Sequence, residues 1–162
     1  MPLQPGDLAP DLTLLDHDLR RVSLADYRGS PLVLFFFPLA FSDTCTEEMC
    51  TVAEDFSAYR ELDGQVVGIS VDSPYVLQRF REECGAEFPF LSDFHREAAE
   101  GFGVLRAEPL RSGLRGTSER ATFVLDAEGR VTYGWVGEHP GLQPPFAEVK
   151  EALQQARHGS LR

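Results

Sequence analysis

Residues 31–50 have the sequence PLVLFFFPLAFSDTCTEEMC, which passes from a continuous apolar run into a polar turn and then into a helix-like pattern. The run PLVLFFF is bounded by Pro31 and Pro38. Because it is apolar throughout rather than alternating, it predicts a strand buried on both faces. Residues 45–62 carry apolar side chains at a spacing of three to four, which predicts a helix. Cys45 therefore falls where a buried strand gives way to a helix.

The flanking segments continue this alternation of strands and helices. The first thirty residues predict a β-hairpin of two short strands, and residues 88–93 predict a short extended piece. Further strands are predicted at 65–71, 120–126 and 130–137, and further helices at 73–84, from residue 95, and at 144–158. The order predicts an α/β protein with a mixed central β-sheet, helices on both faces and an N-terminal β-hairpin extension. This is the topology of a thioredoxin-like fold.

Composition excludes several classes of function. The chain has 162 residues, which predicts one domain, and a formal net charge of −11. That charge argues against binding to nucleic acid or to an anionic membrane surface, since both require basic patches. The longest apolar run is about eleven residues, whereas a membrane span needs roughly 20. No signal-peptide pattern opens the sequence, and three cysteines do not suit a secreted disulfide framework, so we expect a cytoplasmic location.

The predicted surroundings of Cys45 favour a reactive thiolate. Sites in α/β sheets gather beyond the carboxyl ends of strands, and a helix N-terminus presents free amide hydrogens and positive potential. The free amide hydrogens and the positive potential both lower the pKa of a cysteine thiol. Ser42 supplies a hydroxyl three residues earlier, and Pro38 is placed to shield one side of a pocket. Arg120, at the start of a predicted buried strand, is the candidate cation. From sequence alone, a solvent-exposed arginine is the favoured alternative.

The same residues carry a family resemblance. The segment PLAFSDTC, residues 38–45, resembles the peroxiredoxin pattern Pro-x-x-x-(Thr/Ser)-x-x-Cys, with its proline, hydroxyl residue and cysteine at Pro38, Ser42 and Cys45. The segments PGDLAPDLTLLD, SVDSP, FPFLSD and ERATFVLD also resemble peroxiredoxins. YGWVGEHPG looks most like the AhpE-like group, followed by the bacterioferritin-comigratory (PrxQ-like) group. The resemblance covers nearly the whole chain and implies a single thioredoxin-like peroxiredoxin domain at 1–162.

The resemblance implies a mechanism for the site. Cys45 would be the peroxidatic cysteine, whose thiolate attacks a hydroperoxide and becomes a sulfenic acid. Pro38, Ser42 and Arg120 would form the peroxide pocket, although the family more often has threonine in place of Ser42. Backbone amides around Thr44 and Cys45 would help to hold the peroxide.

A carboxylate close to this pocket has two interpretations. Glu48 is placed to orient the groups of the pocket from within the helix. The alternative is an ordinary glutamate on an exposed helix face.

The resemblance also implies partners. The substrates would be hydrogen peroxide and organic hydroperoxides, and the reductant a thioredoxin-like protein or another thiol. No metal, flavin or haem cofactor is implied. A homodimer joined near the active-site loops is expected. Leu39 and Phe41 would contribute to that contact or to a slot for an organic peroxide tail, with packing in the core as the alternative.

The cysteine that resolves the sulfenic acid stays open. On an intact helix the Cα atoms of Cys45 and Cys50 would be about 8–9 Å apart. A disulfide needs about 4.4–6.8 Å, so this bond requires the first helical turn to unwind. We favour Cys50, because its spacing resembles that of PrxQ-like proteins and many AhpE-like ones. Cys84 is the second candidate, with an inert half-buried thiol as its alternative, and an external thiol is the third.

Three other classes of protein compete with this interpretation. A zinc site lacks the paired Cys and His spacings that such sites use, and the four histidines are scattered. A dithiol reductase would have C-x-x-C rather than C-x-x-x-x-C. A redox sensor that passes oxidation to another protein would use the same first step as a peroxidase. Turnover with a recycling thiol distinguishes the sensor from the enzyme.

Overall fold

The computed structural model describes residues 1–159, and its centre is the strand β3, Leu32–Phe36. All five residues of β3 are buried, as the continuous apolar run predicted. Strand β4, Gln65–Ser70, pairs with β3 in parallel, and β6, Ala121–Leu125, pairs with it antiparallel on the other side. Phe36 lies opposite Ala121, so the start of β6 meets the carboxyl end of β3. This register places Arg120, the residue before β6, at the same end of the sheet as Cys45, which follows β3 in the chain.

Seven strands form one mixed sheet in the order β2-β1-β5-β4-β3-β6-β7. The N-terminal hairpin consists of β1, Thr13–Asp16, and β2, Arg21–Ser23, and β7 spans Val131–Val136. The segment predicted only as an extended piece contains a true strand, β5, Phe90–Ser92. Strand β5 pairs in parallel with β4 and antiparallel with β1, which joins the hairpin to the sheet. Its three residues are too few for a periodic signal in the sequence.

Helices cover both faces of the sheet, which confirms the predicted thioredoxin-like α/β fold. Alternate residues of β3 enter two separate hydrophobic clusters, one on each face. One cluster is covered by α1, α2, α3 and α5, which span Asp43–Glu54, Phe56–Glu61, Pro74–Cys84 and Phe146–Gly159. The other includes residues of the short helix α4, Glu97–Gly101, and of a 3-10 turn, Leu24–Tyr27. The fully buried strand is therefore a consequence of two-sided packing.

The helix predicted at 45–62 differs from the observed structure in its start and its continuity. It begins at Asp43, and it divides into α1 and α2 at Asp55, whose φ and ψ are −99° and 12°. Aspartate is a weak helix former in a helix interior, and the Asp55 carboxylate instead pairs with Lys150 of α5.

Helix α3 has defined ends at both termini. Ser73 accepts a hydrogen bond from the amide of Val76, and Pro74 occupies the first helical position. Gly85 ends the helix in the left-handed conformation with φ of 66°, immediately after Cys84.

The helices and the extent of the domain bear on two further expectations. No helix within residues 1–159 combines the length and apolar character needed to cross a bilayer. The single domain at 1–162 stays a prediction, since its last three residues lie outside the described part of the chain.

Candidate active site

The turn that connects β3 to α1 carries two residues of the predicted site, Pro38 and Ser42. The amide of Ala40 donates to a carboxylate oxygen of Asp72 at 2.7 Å, and the hydroxyl of Ser42 donates to the carbonyl of Leu39 at 2.9 Å. Asp72 follows β4, the parallel neighbour of β3, so the carboxyl ends of two strands are tied together. Asp72 was not among the predicted site residues, although it lies in the segment SVDSP.

Phe41 has an unusual backbone conformation within this turn. Its φ of 69° lies in the left-handed region, which costs a non-glycine residue roughly 1 kcal/mol or more. The ring is 50% exposed and packs on Phe80 of α3 with 5.1 Å between ring centroids. Of the three expectations for Phe41, packing against the core is observed in part, and a dimer contact and a slot for a peroxide tail stay predictions.

Cys45 lies in the first turn of α1 and its side chain has no exposed surface. A guanidinium nitrogen of Arg120, Nη2, donates to its sulfur at 3.2 Å. Burial raises the pKa of the Cys45 thiol. The charge of Arg120 acts most strongly in the opposite direction, followed by the nearby Ser42 hydroxyl, the backbone of Leu39 and the hydrogen bond from Arg120. The predicted lowering influences are present, but in this structure burial outweighs them.

Arg120 is 2% exposed, so the alternative of a solvent-exposed arginine is wrong. Besides the bond to Cys45, Nη1 donates to Glu48 at 2.6 Å and Nε donates to the carbonyl of Pro140 at 2.9 Å. Burial lowers the pKa of Arg120, but the charges of Glu48 and Cys45 raise it above its ordinary value. Every nitrogen of the guanidinium is thus engaged, and the group is held charged beside the sulfur.

Glu48 has no exposed surface, so the alternative of an exposed helix-face glutamate is wrong as well. Because α1 begins at Asp43, Glu48 lies on the second turn and points inward at the same level as Arg120. Burial raises the pKa of Glu48 to about 7, and Arg120 opposes the shift. Within the described residues, its second carboxylate oxygen is buried without a hydrogen-bond partner. The ion pair with Arg120 is therefore opposed by the free energy needed to remove the Glu48 carboxylate from water.

A cavity of about 640 Å³ lies beside this network. Four residues of the predicted site line it, namely Pro38, Ser42, Thr44 and Arg120. Cys45 does not line the cavity, but its thiol contacts two lining residues, Ser42 and Arg120. The amides of Thr44 and Cys45 belong to the first turn of α1, where N–H groups have no partner inside the helix.

Several lining residues were not predicted. These are Asp43 from the turn, Arg106, Leu110, Arg111 and Ser112 from the loop before β6, and His139, Pro140 and Gly141 after β7. Leu39 also lines the cavity, where a slot for a peroxide tail, one of its predicted roles, would lie. The loop at 106–120 contains four arginines in a strongly acidic chain, and this concentration of positive charge was an available signal. Arg106 pairs with Glu119 at 3.0 Å.

Cys50 and Cys84 are half-buried, and neither lines this cavity. Helix α1 is continuous from Asp43 to Glu54, so the predicted separation of Cys45 and Cys50 applies and a bond between them requires unwinding. Within residues 1–159, no three His, Cys, Asp or Glu side chains are grouped so that they could hold a metal ion.

A second cavity, of about 470 Å³, lies between the N-terminal hairpin and the start of α3. Its lining includes Leu15, Leu19, Tyr75 and Phe94, and none of the predicted site residues. The residues predicted to form the peroxide pocket therefore lie at the cavity beside Cys45 and not at this second cavity.

Comparisons with known proteins agree with this geometry. Residues 5–134 match the AhpC/TSA family. A peroxiredoxin homologue from Mycobacterium tuberculosis is 38% identical over 129 residues, covering 80% of this chain and 82% of its own. Peroxiredoxin Bcp of Escherichia coli is 32% identical over 132 residues, covering 82% and 85%. The crystal structure of peroxidoxin BcpB from Mycobacterium tuberculosis superposes with a TM-score of 0.81 at 30% identity, covering 99% of both chains.

These relatives bear on the subgroup as well as on the family. The names Bcp and BcpB correspond to the bacterioferritin-comigratory group, the second of the two groups that the sequence resembled. Members of the family reduce peroxides with electrons from thiols. The chain belongs to the AhpC/TSA family and is a peroxiredoxin, a thiol-dependent peroxidase.

Proposed function

We propose that the chain reduces hydrogen peroxide and organic hydroperoxides through Cys45. The observation that carries this proposal is the 3.2 Å hydrogen bond from Arg120 to the buried sulfur, next to a cavity that Pro38, Ser42 and Thr44 line. A charged guanidinium at this position stabilises the thiolate and the negative charge that develops on the leaving oxygen.

The proposed reaction begins when the peroxide enters the cavity and reaches the sulfur past Ser42. The Cys45 thiolate attacks the terminal oxygen, the O–O bond breaks, and an alkoxide or hydroxide leaves and takes up a proton. Cys45 becomes a sulfenic acid. Arg120, the Ser42 hydroxyl and the amides of Thr44 and Cys45 hold the two oxygens in line with the sulfur. Glu48 acts through Arg120 as a positioning residue.

We propose Cys50 as the residue that attacks the sulfenic acid, with Cys84 or an external thiol as the alternatives. Cys50 is half-buried and lies on the same helix as Cys45, so local unwinding of α1 is the only rearrangement this bond needs. A thioredoxin-like protein or another thiol then reduces the disulfide. A cytoplasmic location would supply such reductants.

Steady-state turnover tests the proposed function. Peroxide consumption is followed with excess dithiothreitol or a thioredoxin system for the wild type and for Cys45→Ser, a change of one atom at a buried position. We expect repeated turnover by the wild type and a loss of about 10³-fold or more in the variant, because no other described cysteine contacts Arg120. Near-UV circular dichroism checks that the variant is folded.

The same assay separates an enzyme from a redox sensor. A sensor would be oxidised once by peroxide and would pass its disulfide to a partner without rapid recycling by a small or general thiol. Oxidation of the wild type at the expected rate without turnover would therefore favour the sensor over the peroxidase.

A further inference from the structure

The two cysteines outside the active-site cavity are neighbours in space. Cys50 lies on α1 and Cys84 is the last residue of α3, and these two helices pack against each other. Cys84 also packs against the hydrophobic cluster that contains Cys45. Burial, together with a side-chain hydrogen bond and charge from Cys50, raises the pKa of Cys84 to about 12. The two half-buried thiols therefore lie close enough to interact where α1 packs on α3, and Cys84 keeps its proton in the reduced protein.

A disulfide between Cys50 and Cys84 makes a different demand on helix α1 than a disulfide between Cys45 and Cys50. Residues five apart on a continuous helix have Cα atoms about 8–9 Å apart, beyond the reach of a disulfide. Cys50 and Cys84 lie on two different helices that pack against each other, so bringing their sulfurs together does not require either helix to unwind. Cys84 is followed by Gly85 in the left-handed conformation at a helix end, where the backbone adjusts at little cost. A Cys50–Cys84 disulfide therefore leaves α1 folded.

We propose that Cys45, Cys50 and Cys84 form a relay in which the disulfide moves from Cys45–Cys50 to Cys50–Cys84. The relay rests on the proposed peroxidase function. It makes both half-buried cysteines necessary for one catalytic cycle, rather than alternatives for a single resolving role. It also makes the Cys50–Cys84 pair a site where the protein stores an oxidising equivalent.

The chemistry of the relay balances without a further oxidant. The Cys50 thiolate attacks the sulfur of the Cys45 sulfenic acid; the S–S bond forms, the S–O bond breaks, and hydroxide leaves as water after protonation. The Cys84 thiolate then attacks the sulfur of Cys50, the Cys50–Cys84 bond forms, and Cys45 leaves as a thiolate. The Cys84 proton passes to solvent. In total one peroxide is reduced, and Cys50 and Cys84 are oxidised.

Two features of the structure drive the second step forward. Refolding of α1 stabilises the product, because only the Cys45–Cys50 bond opposes the helix. Arg120 lies 3.2 Å from the Cys45 sulfur and stabilises the negative charge on this leaving group. The interactions with Cys50 that help to raise the pKa of Cys84 are lost once Cys50 is part of a disulfide, while the larger effect of burial stays.

The relay moves oxidation to a place that a reductant can reach. Cys45 has no exposed surface, whereas Cys50 and Cys84 are both partly exposed. A protein thiol that reduces the molecule would then attack the Cys50–Cys84 bond without entering the active-site cavity. Cys45 would meanwhile be free to react with a second peroxide.

The stoichiometry of peroxide consumption without reductant tests the relay. Reduced protein is mixed with a small excess of hydrogen peroxide, and the peroxide lost in the fast phase is counted per chain. We expect about two equivalents for the wild type, the second leaving Cys45 as a sulfenic acid that dimedone traps. We expect about one equivalent for Cys84→Ser, which stops at the Cys45–Cys50 disulfide, and for Cys50→Ser, which stops at the sulfenic acid.

Disulfide mapping of the wild type provides a result that does not depend on any variant. After one equivalent of peroxide, free thiols are alkylated and the chain is cut by trypsin and by a glutamyl endoprotease, which separates Cys45 from Cys50 at Glu47 and Glu48. The relay predicts a Cys50–Cys84 link with Cys45 alkylated. A stable Cys45–Cys50 or Cys45–Cys84 link in the wild type would overturn it.

The failure of the relay and the failure of the proposed function give different results. If Cys45→Ser consumes the first equivalent as fast as the wild type, Cys45 is not the peroxidatic cysteine. If the first equivalent depends on Cys45 but the wild type consumes only one, the peroxidase function stands and the relay is wrong.

Discussion

A buried thiol depends on its immediate neighbours for a negative charge, and Cys45 has one strong neighbour. Arg120 donates to the sulfur while Glu48 and the carbonyl of Pro140 hold its other nitrogens. Desolvation opposes the thiolate and the guanidinium favours it. The reactivity of Cys45 is therefore controlled by a contact that a single substitution removes.

Replacing Arg120 by methionine should raise the pKa of Cys45 further, because the largest influence that lowers it is lost. At pH 7 the thiolate fraction falls, and we expect alkylation and peroxide reaction of Cys45 to slow by about 10²–10³-fold. Below the pKa the rate rises about tenfold per pH unit, so the profile shifts to higher pH. The rate of iodoacetamide reaction is measured against pH in a Cys50→Ser/Cys84→Ser background.

Arg106→Met is the matched control for Arg120→Met. Arg106 lines the same cavity but pairs with Glu119 rather than with Cys45. Its loss should leave the pH profile of Cys45 nearly unchanged. An unshifted profile in Arg120→Met would show that the hydrogen bond to the sulfur has no influence on the thiolate.

Glu48 should make stability depend on pH. Its folded-state pKa of about 7 lies above its ordinary value, so the folded protein binds more protons than the unfolded chain between roughly pH 4.5 and 7. The contribution of Glu48 to stability is complete below this window and is lost as pH rises through it. Glu48→Gln removes this titration.

The free energy of unfolding by urea at pH 5 and pH 8 measures the effect. Relative to Glu48→Gln, the wild type should lose on the order of 3 kcal/mol between these two pH values. Glu54→Gln, an exposed position on the same helix, should follow the wild type. Parallel pH profiles for the wild type and Glu48→Gln would mean that Arg120 keeps the pKa of Glu48 at an ordinary value.

The identities of the site residues could be predicted from the sequence more readily than the burial of their side chains. Cys45, Ser42 and Pro38 follow from a local pattern, because they lie on one continuous segment. The burial of Arg120 and Glu48 could not be predicted from propensity, since it depends on pairing between β3 and β6, which are far apart in the chain. Two charged residues enter the core only because each one neutralises the other.

At the level of the elements, two serines occupy the same position with different bonds. Ser73 caps α3 by accepting from the amide of Val76, whereas Ser42 precedes α1 without a side-chain cap bond and donates to Leu39 instead. We expect Ser73→Ala to reduce the free energy of unfolding by about 1 kcal/mol and leave the rate with peroxide unchanged.

Ser42→Ala is the matched variant at the other helix. It should cost less stability than Ser73→Ala, because no cap bond is lost, but it should slow the reaction of Cys45 with peroxide. Urea denaturation and rapid-mixing kinetics on both variants measure the two effects. Equal losses of stability with equal rates would contradict the assignment of Ser42 to the peroxide pocket.

The strands and helices were predicted well where their patterns are long. The continuous apolar run of β3 and the capped helix α3 have the positions that the sequence implied. Strand β5 was predicted only as an extended piece, and the break at Asp55 was missed. Both are set by neighbours, the first by pairing with β1 and β4 and the second by contact with α5.

For the whole molecule, association stays a prediction from the family resemblance. The Phe41 ring is half-exposed beside the active-site turn, and a partner chain that covered it would bury apolar surface next to Cys45. We expect a homodimer in sedimentation or light scattering, and we expect Phe41→Ser to weaken it. Leu8→Ser removes a similarly exposed side chain near the N-terminus and should not. A monomer at micromolar concentration would contradict this prediction.

The net negative charge of the whole chain gives no indication that three arginines line the active-site cavity. A net charge of −11 argues against a basic surface for nucleic acid, yet the active-site cavity is lined by Arg106, Arg111 and Arg120. Net charge is a sum and carries no information on position. The concentration of arginines in the loop before β6 is visible in the sequence, but their position at the cavity depends on the fold.

We expect Cys45 alone among the three cysteines to react rapidly with peroxide. The most direct test is the second-order rate constant for oxidation by hydrogen peroxide, measured by rapid mixing and thiol mass spectrometry on the reduced wild type and on Cys45→Ser. Cys45 should be oxidised first, and about 10³-fold faster than any thiol of the variant. Equal rates for the two proteins, or prior oxidation of Cys50 or Cys84 in the wild type, would contradict it.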